Sequence, residues 1–161
     1  MAFGAPSLKG HALRYLSQRE HSRAELERKL ARHLDEEADA AGTAQIAQAL
    51  DELAARGLQS EQRVAESVLR SQGARFGSRR LKQTMQAKGL APELVSAVLR
   101  QAAATELARA RDVWRRRFGT PPASAAERAK QQRFLAARGF AGDVIRQVVA
   151  GADDEDSGAG A

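Results

Sequence analysis

One repeat constrains what this chain can fold into. The stretch 77–99, GSRRLKQTMQAKGLAPELVSAVL, recurs 50 residues later at 127–149 as ERAKQQRFLAARGFAGDVIRQVV. Gly89 falls on Gly139, Lys88 on Arg138, Leu90 on Phe140 and Glu93 on Asp143. Leu94, Val95, Val98 and Leu99 fall on Val144, Ile145, Val148 and Val149. A unit of this length cannot bury its apolar face alone, so copies must stack. The implied architecture is a modular helical array, and arrays commonly serve as binding surfaces.

The apolar spacing is helical almost throughout, and no segment alternates as a strand would. A short helix over His11–Ser17 carries Leu13 and Leu16. Ser22 and Glu25 form a capping box, in which hydroxyl and carboxylate each satisfy a free backbone N–H. Leu26, Leu30 and Leu34 then follow as one buried stripe. An acidic loop, DEEADAAG, runs from Asp35 to Gly42. Thr43 is the predicted cap of a helix with Ile46, Leu50 and Leu53 inward, and Gly57 ends it. Ser60 caps the next, which carries Val64, Val68 and Leu69 and fades by Gly73. A helix from about Ser78 places Leu81 and Met85 inward and stops at Gly89, a left-handed C′ residue. Pro92 suits the first turn of the helix that follows, and Glu93 favours its positive dipole end. Thr105 is read as the start of a longer helix with Leu107, Ala110, Trp114 and Phe118 on one stripe. Gly119–Pro122 breaks it, and Ser124 with Glu127 forms a second capping box.

These elements predict an all-α fold: nine helices in an elongated array of three tandem three-helix repeats. The expected divisions are a flexible lead-in over 1–10, repeats over 11–58, 59–103 and 104–150, and a disordered acidic tail over 151–161. Each repeat is too small to be very stable alone, so stacking against a neighbour is needed.

Charge divides the chain along the same lines. Residues 1–60 hold 8 basic and 9 acidic side chains, residues 61–150 hold 18 and 7, and the last eleven hold four acids and no base. The second and third repeats are therefore the electropositive body of a chain with pI 10.4. Such a body suits a polyanion or an acidic protein surface. The candidate contact residues are Arg75, Arg79, Arg80 and Lys82 around the start of a helix, then Arg115, Arg116, Lys130 and Arg133. A helix start adds backbone N–H groups and a positive dipole end to the arginines, a combination that suits an anion. Solvated helix faces are the plainer reading of the same residues.

Catalytic chemistry has little to stand on. There is no cysteine, which excludes disulfides, thiolate metal sites and cysteine nucleophiles. The three histidines, His11, His21 and His33, lack metal-ligand spacing, and His21 is placed to staple onto Leu26. No glycine-rich phosphate loop, HExxH motif or nucleophile–base pair is present. No catalytic residue, metal or cofactor is expected. The opening MAFGAPSLKG lacks a signal h-region and no apolar run is long enough to span a membrane, so a cytoplasmic protein is expected. The helix–Gly–helix unit is unsuited to reading DNA bases. Its second helix, APELVSAVLRQ, begins with an acid where a recognition helix should present polar side chains to base edges. Phosphate contacts are compatible with it.

The residues assembled so far resemble the RecX family of RecA regulators. ALRYLSQREHSRAELERKL (12–30) is similar to that family's first signature, and LDELAARGLQSEQRVAES (50–67) to its second. GSRRLKQTMQAKGL (77–90) resembles its second-repeat middle helix. VWRRRFG (113–119) and RFLAARGF (133–140) resemble its C-terminal repeat. The chain departs from the family where an acidic pair and then an aromatic are usual: it has Gln59-Ser60 and Val64. The resemblance implies a modular all-helical protein of three-helix repeats that lodges in the helical groove of the RecA–single-stranded DNA filament. It implies suppression of strand exchange, ATP hydrolysis and co-protease activity, with direct DNA contact in some members. A monomer is expected. Two other readings fit the residues alone: a basic nucleic-acid-binding array acting without RecA, and a helical scaffold for another acidic protein.

Overall fold

The computed structural model describes residues 4–34 and 40–157. Among these there are eight helices and no strand: α1 (Leu8–Gln18), α2 (Arg23–Ala31), α3 (Ala40–Ala55), α4 (Glu61–Gln72), α5 (Ser78–Ala87), α6 (Pro92–Arg117), α7 (Ala125–Ala137) and α8 (Gly142–Ser157). The fold is all-α, as the periodicity predicts. Its three hydrophobic cores are separate. The first gathers Ala12, Leu26, Leu30, Ile46, Leu50 and Leu53 from α1–α3. The second is built on Val64, Val68, Leu81, Met85, Val95 and Val98. The third is built on Trp114, Leu135, Phe140, Ile145, Val148 and Val149.

Among the described residues the two helices expected on either side of Thr105 are one, because α6 serves two repeats. Its first half packs on α4 and α5 and its second half on α7 and α8. Between Pro92 and Phe118 there is no glycine or proline to stop a helix, and Ala102–Ala104 have high helix propensity. Thr105 starts nothing: its hydroxyl donates to the Ala102 carbonyl at 3.1 Å within the helix. Other boundaries shift for similarly local reasons. The Ser7 hydroxyl accepts from the Gly10 N–H, so α1 begins at Leu8, inside the expected lead-in. Thr43 lies within α3, which already includes Ala40–Gly42. The rest of the expected acidic loop, 35–39, lies outside the described residues. Helix α8 continues to Ser157, into the segment whose composition reads as a tail. Extending a formed helix costs far less than starting one. Residues 158–161 lie outside the described residues.

The predicted caps and stops are present. Ser22 and Glu25 form a complete capping box, and Ser60 and Ser124 each accept from the backbone N–H three residues on. Gly89 and Gly139, aligned by the repeat, have φ of +76° and +83°. The residues that depart from the family pattern are absorbed by the fold. Val64 is buried in the second core, and the Gln59 amide donates to the His21 carbonyl at 3.3 Å.

Successive repeats join through one arrangement used twice. The N-cap residue of a middle helix donates to the carbonyl just before the left-handed glycine of the next repeat. At the first joint the Ser22 hydroxyl donates to the Lys88 carbonyl at 2.6 Å, and at the second the Gly77 N–H donates to the Arg138 carbonyl at 2.9 Å. A glutamate from the next repeat's first helix then accepts from the N–H one residue further on. Glu61 takes Arg23 N–H at 2.8 Å, and Glu106 takes Ser78 N–H at 3.1 Å.

The second joint closes so tightly that a Cβ on Gly77 would lie 2.4 Å from the Phe140 backbone. Gly77→Ala therefore must separate α5 from the third repeat. It is expected to destabilise the protein by roughly 1–3 kcal/mol, the usual range for overpacking. Chemical denaturation followed by helical circular dichroism measures this; an unchanged midpoint would contradict the joint.

Candidate basic surface and its neighbours

The helix start marked out by Arg79, Arg80 and Lys82 already holds an anion. Glu106 is 6 % exposed, and its Oε1 accepts from the Ser78 N–H, the Ser78 hydroxyl (3.0 Å) and the Ala141 N–H (3.4 Å). The Arg79 N–H is taken by the Gly139 carbonyl at 3.0 Å. The backbone donors and dipole of α5 thus serve the joint, and an outside anion would meet side chains only. Glu106 escapes notice in the sequence, although a lone carboxylate four residues before Ala110 on a buried stripe is a visible signal.

Arg109 is part of the scaffold as well. Its Nη1 donates to the carbonyls of Gly73 (2.7 Å) and Phe76 (2.9 Å), fastening the α4–α5 turn to α6. Loss of water around the half-buried guanidinium lowers its pKa, with Glu106 opposing.

The remaining basic candidates separate into two sets. Arg75 and Arg80 lie over the Phe76 ring, at 5.3 and 4.6 Å from its centroid. Arg138, one of the basic residues of the third repeat, lies 5.8 Å from the same ring and 5.2 Å from Phe134. Arg117 sits between Phe118 (5.1 Å) and Phe134 (5.7 Å). Phe118 and Phe134 meet edge to face at 5.3 Å. Arg116 lines one recess with Arg75, Arg117, Arg138 and Phe134. Arg79, Lys82, Lys130 and Arg133 are exposed, and the structure does not bring them into this group. Arg115 is exposed and lies 3.7 Å from Asp112 within its own helix.

The first joint is ionic. Glu25 receives the Ser22 N–H (2.8 Å), Arg19 (3.1 Å) and Lys88 (3.0 Å). Burial raises its pKa, but the hydrogen bonds and cations together outweigh this and hold it at about 2. Arg63 donates to Glu20 at 2.9 Å across the same joint.

The three histidines, scattered in sequence, converge in the first repeat. The rings of His11 and His33 stack at 3.7 Å. The Tyr15 hydroxyl pairs with His33 Nε2 at 2.9 Å. His21 is fully buried, with Nδ1 3.0 Å from the Arg19 carbonyl and Nε2 2.9 Å from Lys29 Nζ. These polar contacts fix the ring in place. No group of three or more acidic, histidine or cysteine side chains among the described residues is arranged to hold a metal. No helix among them is long and apolar enough to cross a membrane.

The geometry therefore defines a class: a helical-repeat protein with separate three-helix cores, polar joints and basic side chains gathered on its last two units. Comparison with known proteins gives the family. Models of the first, second and third three-helix domains of RecX match residues 9–41, 60–99 and 104–149. The chain belongs to the RecX family. It is 51 % identical over 149 residues to "Regulatory protein RecX" of Leptothrix cholodnii, covering 92 % of this chain and 91 % of that one. To the protein of that name from Chromobacterium violaceum it is 47 % identical over 156 residues, covering 97 % of each. The crystal structure of RecX from Lactobacillus salivarius shares the fold, with a TM-score of 0.75 at 21 % identity over 91 % of this chain and 94 % of that one.

The histidine cluster gives stability a pH dependence. Burial lowers the pKa of His11, aided by the charges of His33 and Arg14. Burial also lowers that of His21, outweighing its hydrogen bond to the Arg19 carbonyl, with Arg19 and Lys29 adding to the drop. Unfolding releases both rings to about 6.5, so the unfolded chain binds more protons below that pH. Stability should be full above about pH 6.5 and fall as pH drops below it. Thermal melts at pH 7.5 and 5.5 should show a lower Tm at 5.5, and His11→Gln should narrow the gap. Equal melting temperatures would refute the assignment.

Proposed function

We propose that this protein is a non-enzymatic cytoplasmic regulator that binds the RecA–single-stranded DNA filament as a monomer and mainly inhibits its recombinase, ATPase and co-protease activities. Membership of the RecX family carries this reading. The structure supports it by supplying an array of three linked units whose basic excess falls on the last two. An array of that kind suits bridging neighbouring subunits of a filament. Side-chain contacts to the phosphates of the bound strand are part of the proposal.

Substoichiometric protein should slow RecA ATP hydrolysis on single-stranded DNA and sediment with the filaments. Neither slowing nor co-sedimentation would reject it. Arg79 and Lys82 test the exposed basic face without disturbing the stack of Arg80 on Phe76. The double reversal Arg79→Glu/Lys82→Glu should weaken filament binding severalfold while circular dichroism is unchanged. Undiminished binding would make these two residues a solvated face.

A further inference from the structure

A cluster of arginines lies at the junction of the second and third repeats. There a recess of about 260 Å³ is lined by Arg75, Arg116, Arg117 and Arg138 together with Val113 and Phe134. None of these four arginines is within ion-pair distance of a carboxylate among the described residues. Like charges crowded in this way repel one another, and a bound anion relieves that repulsion.

The guanidiniums are also arranged. Arg138 bridges Phe76 and Phe134, Arg117 bridges Phe118 and Phe134, and Arg75 lies over Phe76. A guanidinium resting on a phenyl ring keeps its N–H edges free. That edge is the fork that grips two oxygens of a phosphate at once. Because the rings already restrain the side chains, less freedom is lost on binding. A second recess of about 340 Å³ adjoins the first and shares Ala74 and Arg116 with it; Leu69, Gly73 and Ala102 supply apolar surface there, and Gln101, Thr105, Arg109 and Asp112 edge it. The two form one furrow, cationic at one end and with apolar surface between polar edges at the other.

We propose that this furrow is a binding site for single-stranded nucleic acid. Phosphodiester groups sit on Arg116, Arg117 and Arg138, and a sugar or base lies against the apolar surface at the other end. Charge and flat apolar surface alternate along such a strand, and unpaired bases stack on guanidinium planes as readily as on rings. An acidic peptide supplies carboxylates but no flat faces to lie against the second recess. Duplex DNA keeps its bases inside and would present phosphates alone. The proposal deepens the strand contact included above. Binding is measured without RecA, so its failure leaves filament binding untouched.

The test is fluorescence anisotropy of a labelled oligothymidylate with the full-length protein across a salt series. Arg116→Gln/Arg117→Gln should weaken binding about tenfold or more. It should also flatten the log–log salt slope by about 1.4, two contacts at roughly 0.7 each for single strands. Arg28→Gln/Arg32→Gln removes the same charge from exposed sites in the first repeat and should change affinity less than twofold. Equal losses in the two double variants, or wild-type affinity in the first, would overturn the site. So would displacement of the oligonucleotide by polyglutamate as effectively as by unlabelled strand at matched ionic strength. Arginine modification by phenylglyoxal, mapped by mass spectrometry on the wild-type chain, needs no variant to fold. Oligothymidylate should protect Arg116, Arg117 and Arg138, and unprotected residues would equally reject the proposal.

Discussion

The array depends on how the free start of a helix is satisfied by the neighbouring repeat. The first N–H groups of any helix lack partners within it and carry partial positive charge. Here α2 and α5 each take a glutamate from the next repeat, Glu61 and Glu106. Each also gives a hydrogen bond to the carbonyl before the next repeat's left-handed glycine. Donor, acceptor and dipole are matched at one point of contact. The three cores never have to merge, and each repeat keeps its own apolar centre.

That use of the helix starts shapes the outer surface. The positions best suited by backbone geometry to hold an anion are filled from inside the molecule. Recognition of an outside polyanion then falls to arginine side chains. On the second and third units Arg75, Arg80, Arg117 and Arg138 lie over phenyl rings rather than paired with acids, a state that stays chemically receptive. The same residue type does opposite work a few positions apart: Arg109 is committed to backbone carbonyls, while Arg116 and Arg117 are not.

Local signals in the sequence were legible because local chemistry produces them. Ser22 with Glu25, the glycines at 89 and 139, and the stripe of Leu26 and Leu30 announce caps, stops and buried faces within a few residues of themselves. Partnerships across the chain leave no such mark. Nothing near His33 points to His11, and Glu106 finds Ser78 only once α5 and α6 are folded. The missing helix boundary near Thr105 belongs to a third kind. The repeat leads one to expect a break there, but the Ala102–Ala104 run contains nothing to make it. Of the basic residues, their existence and their bias toward the later repeats could be read. Which of them gather on Phe76 and Phe134 depends on a fold that brings residues 75, 117 and 138 together.

The unbroken α6 gives the protein unequal mechanical compliance. At about 1.5 Å per residue its 26 residues make a strut of about 39 Å that runs through both of the last two units. Twisting those units against each other would require bending that helix. The first unit is attached instead through the short turn after α3 and the ionic contacts of Glu25, Glu20 and Arg63. The joint between the first and second units is therefore the one that no continuous helix braces. The molecule is a stiff forearm carrying the positive charge, joined through polar contacts to a nearly neutral hand.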